Sequence, residues 1–174
     1  MDKKYWTSDR IISTCAILIS LMTLCVLIIQ TKIIHEQQKN SVLPYLELSN
    51  YNTGGPNFSY VLSNEGVGPA FIESIKIFHQ DSIYETDLPV FLYQNFPESD
   101  SINNLYHSNI APGRLLPAGE RIKILEIRNS LPDAMRLISL LQKLDSTRME
   151  ITYRSIYDEK WMVGSETPTP IKLD

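Results

Sequence analysis

The sequence predicts a mainly β soluble body, an antiparallel sandwich or barrel with one amphipathic helix, behind a single membrane-spanning helix near the start of the chain. Three observations carry that expectation. Residues 11–29 form an uncharged apolar run, short segments from Pro44 onward alternate or are rich in branched and aromatic residues, and residues 130–144 repeat apolar positions at helical spacing.

The run IISTCAILISLMTLCVLII, residues 11–29, contains no charge, proline or glycine. At about 1.5 Å of rise per residue it covers a hydrocarbon core roughly 30 Å thick. A buried core helix seldom keeps so long an unbroken apolar run. A cleaved signal peptide would have a shorter apolar region and a small-x-small cleavage site, where this chain reads QTKIIHEQQKN. Cys25 follows Leu24 and Cys15 lies early in the run, so no lipoprotein site is formed. The expected organisation is a tail at 1–10, a span at 11–29, a helical stalk at 30–43 that Pro44 stops, and a β domain at 44–174.

Lys3, Lys4 and Arg10 precede the span, whereas Lys32 and Lys39 follow it at comparable distance. This bias favours the short tail inside and the β domain outside, in the periplasm if the source is a Gram-negative bacterium. The opposite orientation, with the β domain in the cytoplasm, is the alternative. Cys15 and Cys25, both of the chain's cysteines, fall inside the span on different helical faces, so no disulfide braces the β domain. Ser13, Ala16 and Ser20 are the small residues of the span and leave homo-oligomer formation through this helix open.

From Pro44 onward the chain has 11 Lys and Arg against 17 Asp and Glu, a formal charge of −6. An acidic domain with no basic cluster in its sequence argues against nucleic acid and against peripheral binding to anionic lipid. The strand-like segments are PYLELSN, FSYVLSN, AFIESIKIF, RIKILEIR, MEITYRSIY and KWMV. In the fifth, Met149, Ile151 and Tyr153 should face inward, with a turn at Asp158-Glu159-Lys160 returning the chain through Trp161 and Val163 as a hairpin. The helix signature opens with Ser130 as N-cap, Pro132 in the first turn and Asp133, followed by an apolar stripe at Met135, Ile138, Leu141 and Leu144.

Between the second and third strands lies Asn64-Glu65-Gly66-Val67-Gly68-Pro69-Ala70. It reads as a hairpin or sheet-crossing corner. Asn64 would bond nearby backbone as an Asx turn, Gly66 and Gly68 would take positive φ, and Pro69 would start the next strand extended. No helix N-terminus follows to cradle phosphate. This corner resembles the NxGxGxA corner of bacterial immunoglobulin-like β-sandwich modules, including the CARDB type. LPAGERIKI, residues 116–124, is similar to the turn before a later strand in such modules. The resemblance implies an immunoglobulin-like β-sandwich acting as an extracytoplasmic binding or scaffolding module without catalytic residues. The helix at 130–144 and the long stretch at 81–113 depart from it.

That long stretch, DSIYETDLPVFLYQNFPESDSINNLYHSNIAPG, mixes apolar and aromatic residues with many turn formers where a minimal sandwich needs only a short link. Val90, Phe91, Leu92, Tyr93 and Phe96 should form either a further element packed on the core or an exposed aromatic patch for a protein partner. His79 and Asp81 supply two metal-ligand types without a third, and no catalytic motif appears, so neither a metal, a cofactor nor an enzymatic activity is expected. The expected function is a membrane-anchored, non-catalytic interaction or scaffolding module of the cell envelope. The alternative is a tethered sensor or effector with a cytoplasmic β domain.

Overall fold

In the computed structural model, which describes residues 8–144, 147–167 and 169–173, helix α1 runs unbroken over Ser8–Asn40. Its length, roughly 50 Å at 1.5 Å per residue, exceeds the apolar run because the polar residues that follow are also good helix formers. None of its residues is buried, and it is long and apolar enough to cross a membrane. The hydroxyls of Ser13, Thr14, Ser20, Thr23 and Thr31 each donate to the carbonyl four residues back at 2.8–2.9 Å, which satisfies them within the helix itself. The chain divides into two units, Met1–Ser41 and Val42–Asp174.

The second unit is built from strands β1 (Leu46–Tyr51), β2 (Ser59–Asn64), β3 (Ala70–His79) and β4 (Ser82–Tyr84), helix α2 (Leu88–Asn95), a short 3₁₀ turn (Pro97–Ser101), β5 (Leu105–His107), β6 (Leu115–Leu116), β7 (Arg121–Ile127), helix α3 (Leu131–Lys143), β8 (Thr147–Arg154), β9 (Lys160–Gly164) and β10 (Ile171–Lys172). The described strands form two antiparallel sheets. One has the order β1-β2-β7-β5, the other β10-β9-β8-β3-β4, with β6 pairing the start of β3. All six segments expected from the sequence are strands. β4, β5, β6 and β10 are two or three residues long, too short to show alternation.

One hydrophobic core takes residues from both sheets, among them Leu62 and Ile122 from the first and Ile77 and Ile151 from the second. Met149, Ile151 and Tyr153 all face inward as their alternation requires, and β9 returns beside β8 through a loop in which Asp158 takes φ 60°. The buried Tyr153 hydroxyl accepts the Leu46 N–H at 3.4 Å, joining the second sheet to the first. Burial pushes this phenol up to about 12.

Helix α3 begins where its cap requires, with the Asp133 N–H donating to the Ser130 hydroxyl. Its buried stripe is Ala134, Leu137, Leu140 and Leu144, while Met135 is exposed. Of the expected stripe of Met135, Ile138, Leu141 and Leu144, Met135 is therefore corrected, while Leu144 is buried. The small Ala134 is the residue that lets the first turn approach the core, and Ile138 and Leu141 pack at its margin. The Asp133 carboxylate takes hydrogen bonds from Asn104 and Ser130, which hold it below the usual carboxylate range, and ties α3 to the loop before β5.

The corner after β2 carries the chain from one sheet to the other. Asn64 is fully buried; its Oδ1 accepts the Tyr45 and Gly66 N–H groups at 3.1 Å, and its Nδ2 donates to the carbonyls of Gly68 at 2.8 Å and Leu116 at 3.0 Å. Gly66 and Gly68 do not take positive φ, which corrects the sequence expectation; the left-handed glycines are Gly113 and Gly119, the latter in the turn before β7. Gly66 and Gly68 are needed for close approach. A Cβ on Gly66 would lie 2.3 Å from the Tyr45 nitrogen, and one on Gly68 would lie 1.7 Å from the Val42 carbonyl oxygen.

Candidate functional site

Strand β7 reads R-I-K-I-L-E-I-R through Arg128. Strict alternation would put Arg121, Lys123, Leu125 and Ile127 on one face, an unworkable mixture. A register shift opposite Tyr60 and Val61 resolves it: Tyr60 pairs Leu125, and Val61 pairs Lys123, so Ile124 is the extra residue of a bulge. Ile124, Leu125 and Ile127 are then buried, and Arg121, Lys123, Glu126 and Arg128 lie on the outer side of the sheet.

This outer side forms a shallow groove whose lining includes Arg114, Arg121, Lys123, Arg128 and the single carboxylate of Glu126, with Tyr106 and His107 from β5. The side chains of Arg121, Lys123 and Arg128 are 57, 53 and 56% exposed, whereas Glu126 is only 12% exposed, so the cations are the reachable groups. Arg128 reaches Glu126 through Nη2 at 2.6 Å and Nε at 2.9 Å, and Lys123 hydrogen-bonds the other carboxylate oxygen. The Arg128 guanidinium, followed by the Lys123 ammonium, holds the Glu126 carboxyl below the usual carboxylate range despite its desolvation. Arg128 also lies 4.4 Å over the Tyr106 ring, and Arg121 lies 6.0 Å from the Tyr51 ring. Arg121 bridges Glu65 at 3.0 Å and Arg114 bridges Glu120 at 3.6 Å.

The folded unit thus gathers four cations that do not form a cluster in the sequence, each paired with a carboxylate of Glu65, Glu120 or Glu126. Arg121, Lys123 and Arg128 share one side of β7 because of the bulge, and Arg114 joins them from the residue before β6. The i, i+2 charges at Arg121 and Lys123 were the available signal, and the bulge that extends them to Arg128 was not readable.

Helix α2 accounts for the apolar residues of the long stretch. Asp87 caps it by accepting the Val90 N–H at 3.3 Å. Phe91 and Leu92 are buried, Val90 and Phe96 are half-buried, and Tyr93 is 40% exposed. Phe91 and Leu92 therefore do not belong to an exposed patch. Phe91 packs edge-on against Tyr84 at 5.0 Å, His79 at 5.5 Å and Phe96 at 5.9 Å, and His79 Nδ1 lies 2.6 Å from the Thr147 hydroxyl. Tyr93 instead lies 5.6 Å from the His107 ring, at the margin of the basic groove. Phe91→Ala is expected to lower unfolding free energy by about 3 kcal/mol through loss of buried area and a cavity. Tyr93→Ala should change it by less than about 1 kcal/mol. Urea unfolding of the two variants, followed by near-ultraviolet circular dichroism, separates the two roles.

Among the described residues no three His, Cys, Asp or Glu are grouped to hold a metal ion. A second cleft lies where β1 meets the end of α3, lined by Leu48, Tyr60, Leu141, Leu144 and Met149. Asn50, Ser165 and Glu166 also line it, so its wall is mixed, and burial pushes the Tyr60 phenol up to about 12. No protein-family model, curated protein or solved structure matches the chain.

Proposed function

We propose that the chain is a single-pass membrane protein whose β unit, an immunoglobulin-like sandwich, is a non-catalytic protein-interaction module of the bacterial cell envelope, facing the periplasm or the outside. The observation that carries this reading is α1. It is long and apolar enough to cross a membrane, and none of its residues is buried. At about 25 cal/mol per Å² of apolar area, a bilayer is the medium that stabilises such a helix. Two antiparallel sheets around a common core, joined by the Asn64 corner, support the sandwich. The Lys3, Lys4 and Arg10 bias supports the orientation.

Full-length protein is expected to stay with membranes after an alkaline carbonate wash, and the mature mass is expected to include residues 11–29. A reporter active only outside the cytoplasm, fused after Asp174, should be active, and one that needs the cytoplasm should be silent. Release into the wash or removal of the apolar run would refute the anchor. The reverse reporter pattern would favour the cytoplasmic sensor or effector reading.

A further inference from the structure

Charge on the β unit is segregated. Acidic residues outnumber basic ones from Pro44 onward, yet four cations line the groove of the first sheet around the sunken Glu126 carboxylate, with Glu65 and Glu120 pairing two of them from outside its lining. We infer that this groove is where the interaction module takes its partner, and that the partner presents an extended acidic protein segment carrying aromatic residues. The inference rests on the reading of the unit as an interaction module and names the chemistry that module selects.

The groove is prepared for carboxylates. Glu126 and the Tyr106 ring already fix the Arg128 guanidinium from two sides, so binding orders little that is free in the unbound protein. The Arg121–Glu65 and Arg114–Glu120 pairs are solvent-accessible, at 3.0 and 3.6 Å, and such pairs exchange for an incoming carboxylate at small cost. Tyr106 and Tyr93, 49 and 40% exposed, give rigid apolar contact beside the cations, the Tyr and Arg mixture that enriches protein interfaces. A protein segment fits better than a nucleic acid strand or an anionic bilayer. Either of those would extend past the groove onto the acidic remainder of the unit and be repelled there, and Glu126 stands among the cations against any continuous row of phosphates.

The test is a fluorescence-anisotropy titration of the full chain, held in nanodiscs of zwitterionic lipid, with a short fluorescein-labelled peptide of alternating Glu and Tyr. The expected result is binding at least about tenfold tighter than to the Lys-Tyr peptide of equal length, weakening as salt rises. Arg121→Gln alone should weaken binding about threefold, and Arg121→Gln with Arg128→Gln about tenfold, with the far-ultraviolet circular dichroism of the folded unit unchanged at the titration temperature. Lys76→Gln with Lys160→Gln, on the second sheet, should leave it unaltered. Equal binding of the two peptides, or equal loss in the second-sheet variant, overturns the inference. So does tighter binding, through Arg121 and Arg128, of single-stranded DNA of matched charge or of phosphatidylserine nanodiscs. Failure of the anchor would appear in the carbonate wash and leave this titration unchanged; failure of the titration would leave the anchor standing.

Discussion

Gly68→Ala is expected to destabilise the β unit by at least about 4 kcal/mol, among the larger effects a single methyl can have. The added carbon would sit 1.7 Å from the Val42 carbonyl oxygen and 2.4 Å from its carbon, and both are backbone atoms that cannot rotate away. The segment that would have to retreat leads directly into β1, whose Leu46 is fully buried and donates its N–H to the Tyr153 hydroxyl. Moving it therefore opens the junction of the two sheets. Gly54→Ala is the matching control, since a Cβ there meets nothing within 4 Å. The urea midpoint of each variant, measured on the full chain in mild detergent, checks the contrast. Near-equal midpoints would show that the corner yields more readily than its backbone contacts imply.

Asn64→Ala should cost about 4 kcal/mol, by exposing a different fault in the same corner. The amide satisfies the Tyr45 and Gly66 N–H groups and the Gly68 and Leu116 carbonyls at once, in a position with no solvent exposure. Each buried group left unpaired costs about 1–3 kcal/mol, partly recovered where the corner relaxes or admits water. Asn64→Asp keeps the acceptor but turns a carboxylate oxygen toward carbonyl oxygens. That carboxyl would hold its proton more tightly in the folded state than in the unfolded one, so the folded state gains relative stability as pH falls. The Asp variant should thus recover part of its loss in acid, and the Ala variant should not. Thermal unfolding of both across the acidic range tests this, and parallel pH profiles would refute the hydrogen-bond account.

The same corner shows how far sequence reasoning reached. Asn64, Gly66, Gly68 and Pro69 were legible as a junction because those residue types belong in junctions. Their individual reasons were not all legible: the glycines are set by a neighbouring non-strand segment, Val42 to Tyr45, that is distant in sequence. The α2 residues behave similarly. Val90 to Phe96 were visibly apolar, but whether Phe91 faced solvent depended on His79 and Tyr84, which lie on strands the local pattern could not place beside it.

The amino-acid sequence by itself determined the long apolar helix, the six principal strands, the cap of α3 and the junction residues. Each of these follows from local spacing, backbone preference or hydrophobicity, which act over a few neighbouring positions. Tertiary structure alone decided which side of α3 is buried, why Gly66 and Gly68 must lack side chains, and that Arg114, Arg121, Lys123 and Arg128 share one groove. The first two depend on contacts between segments distant in sequence, and the last on cross-strand register, where one bulged residue at Ile124 reverses every later side chain of β7.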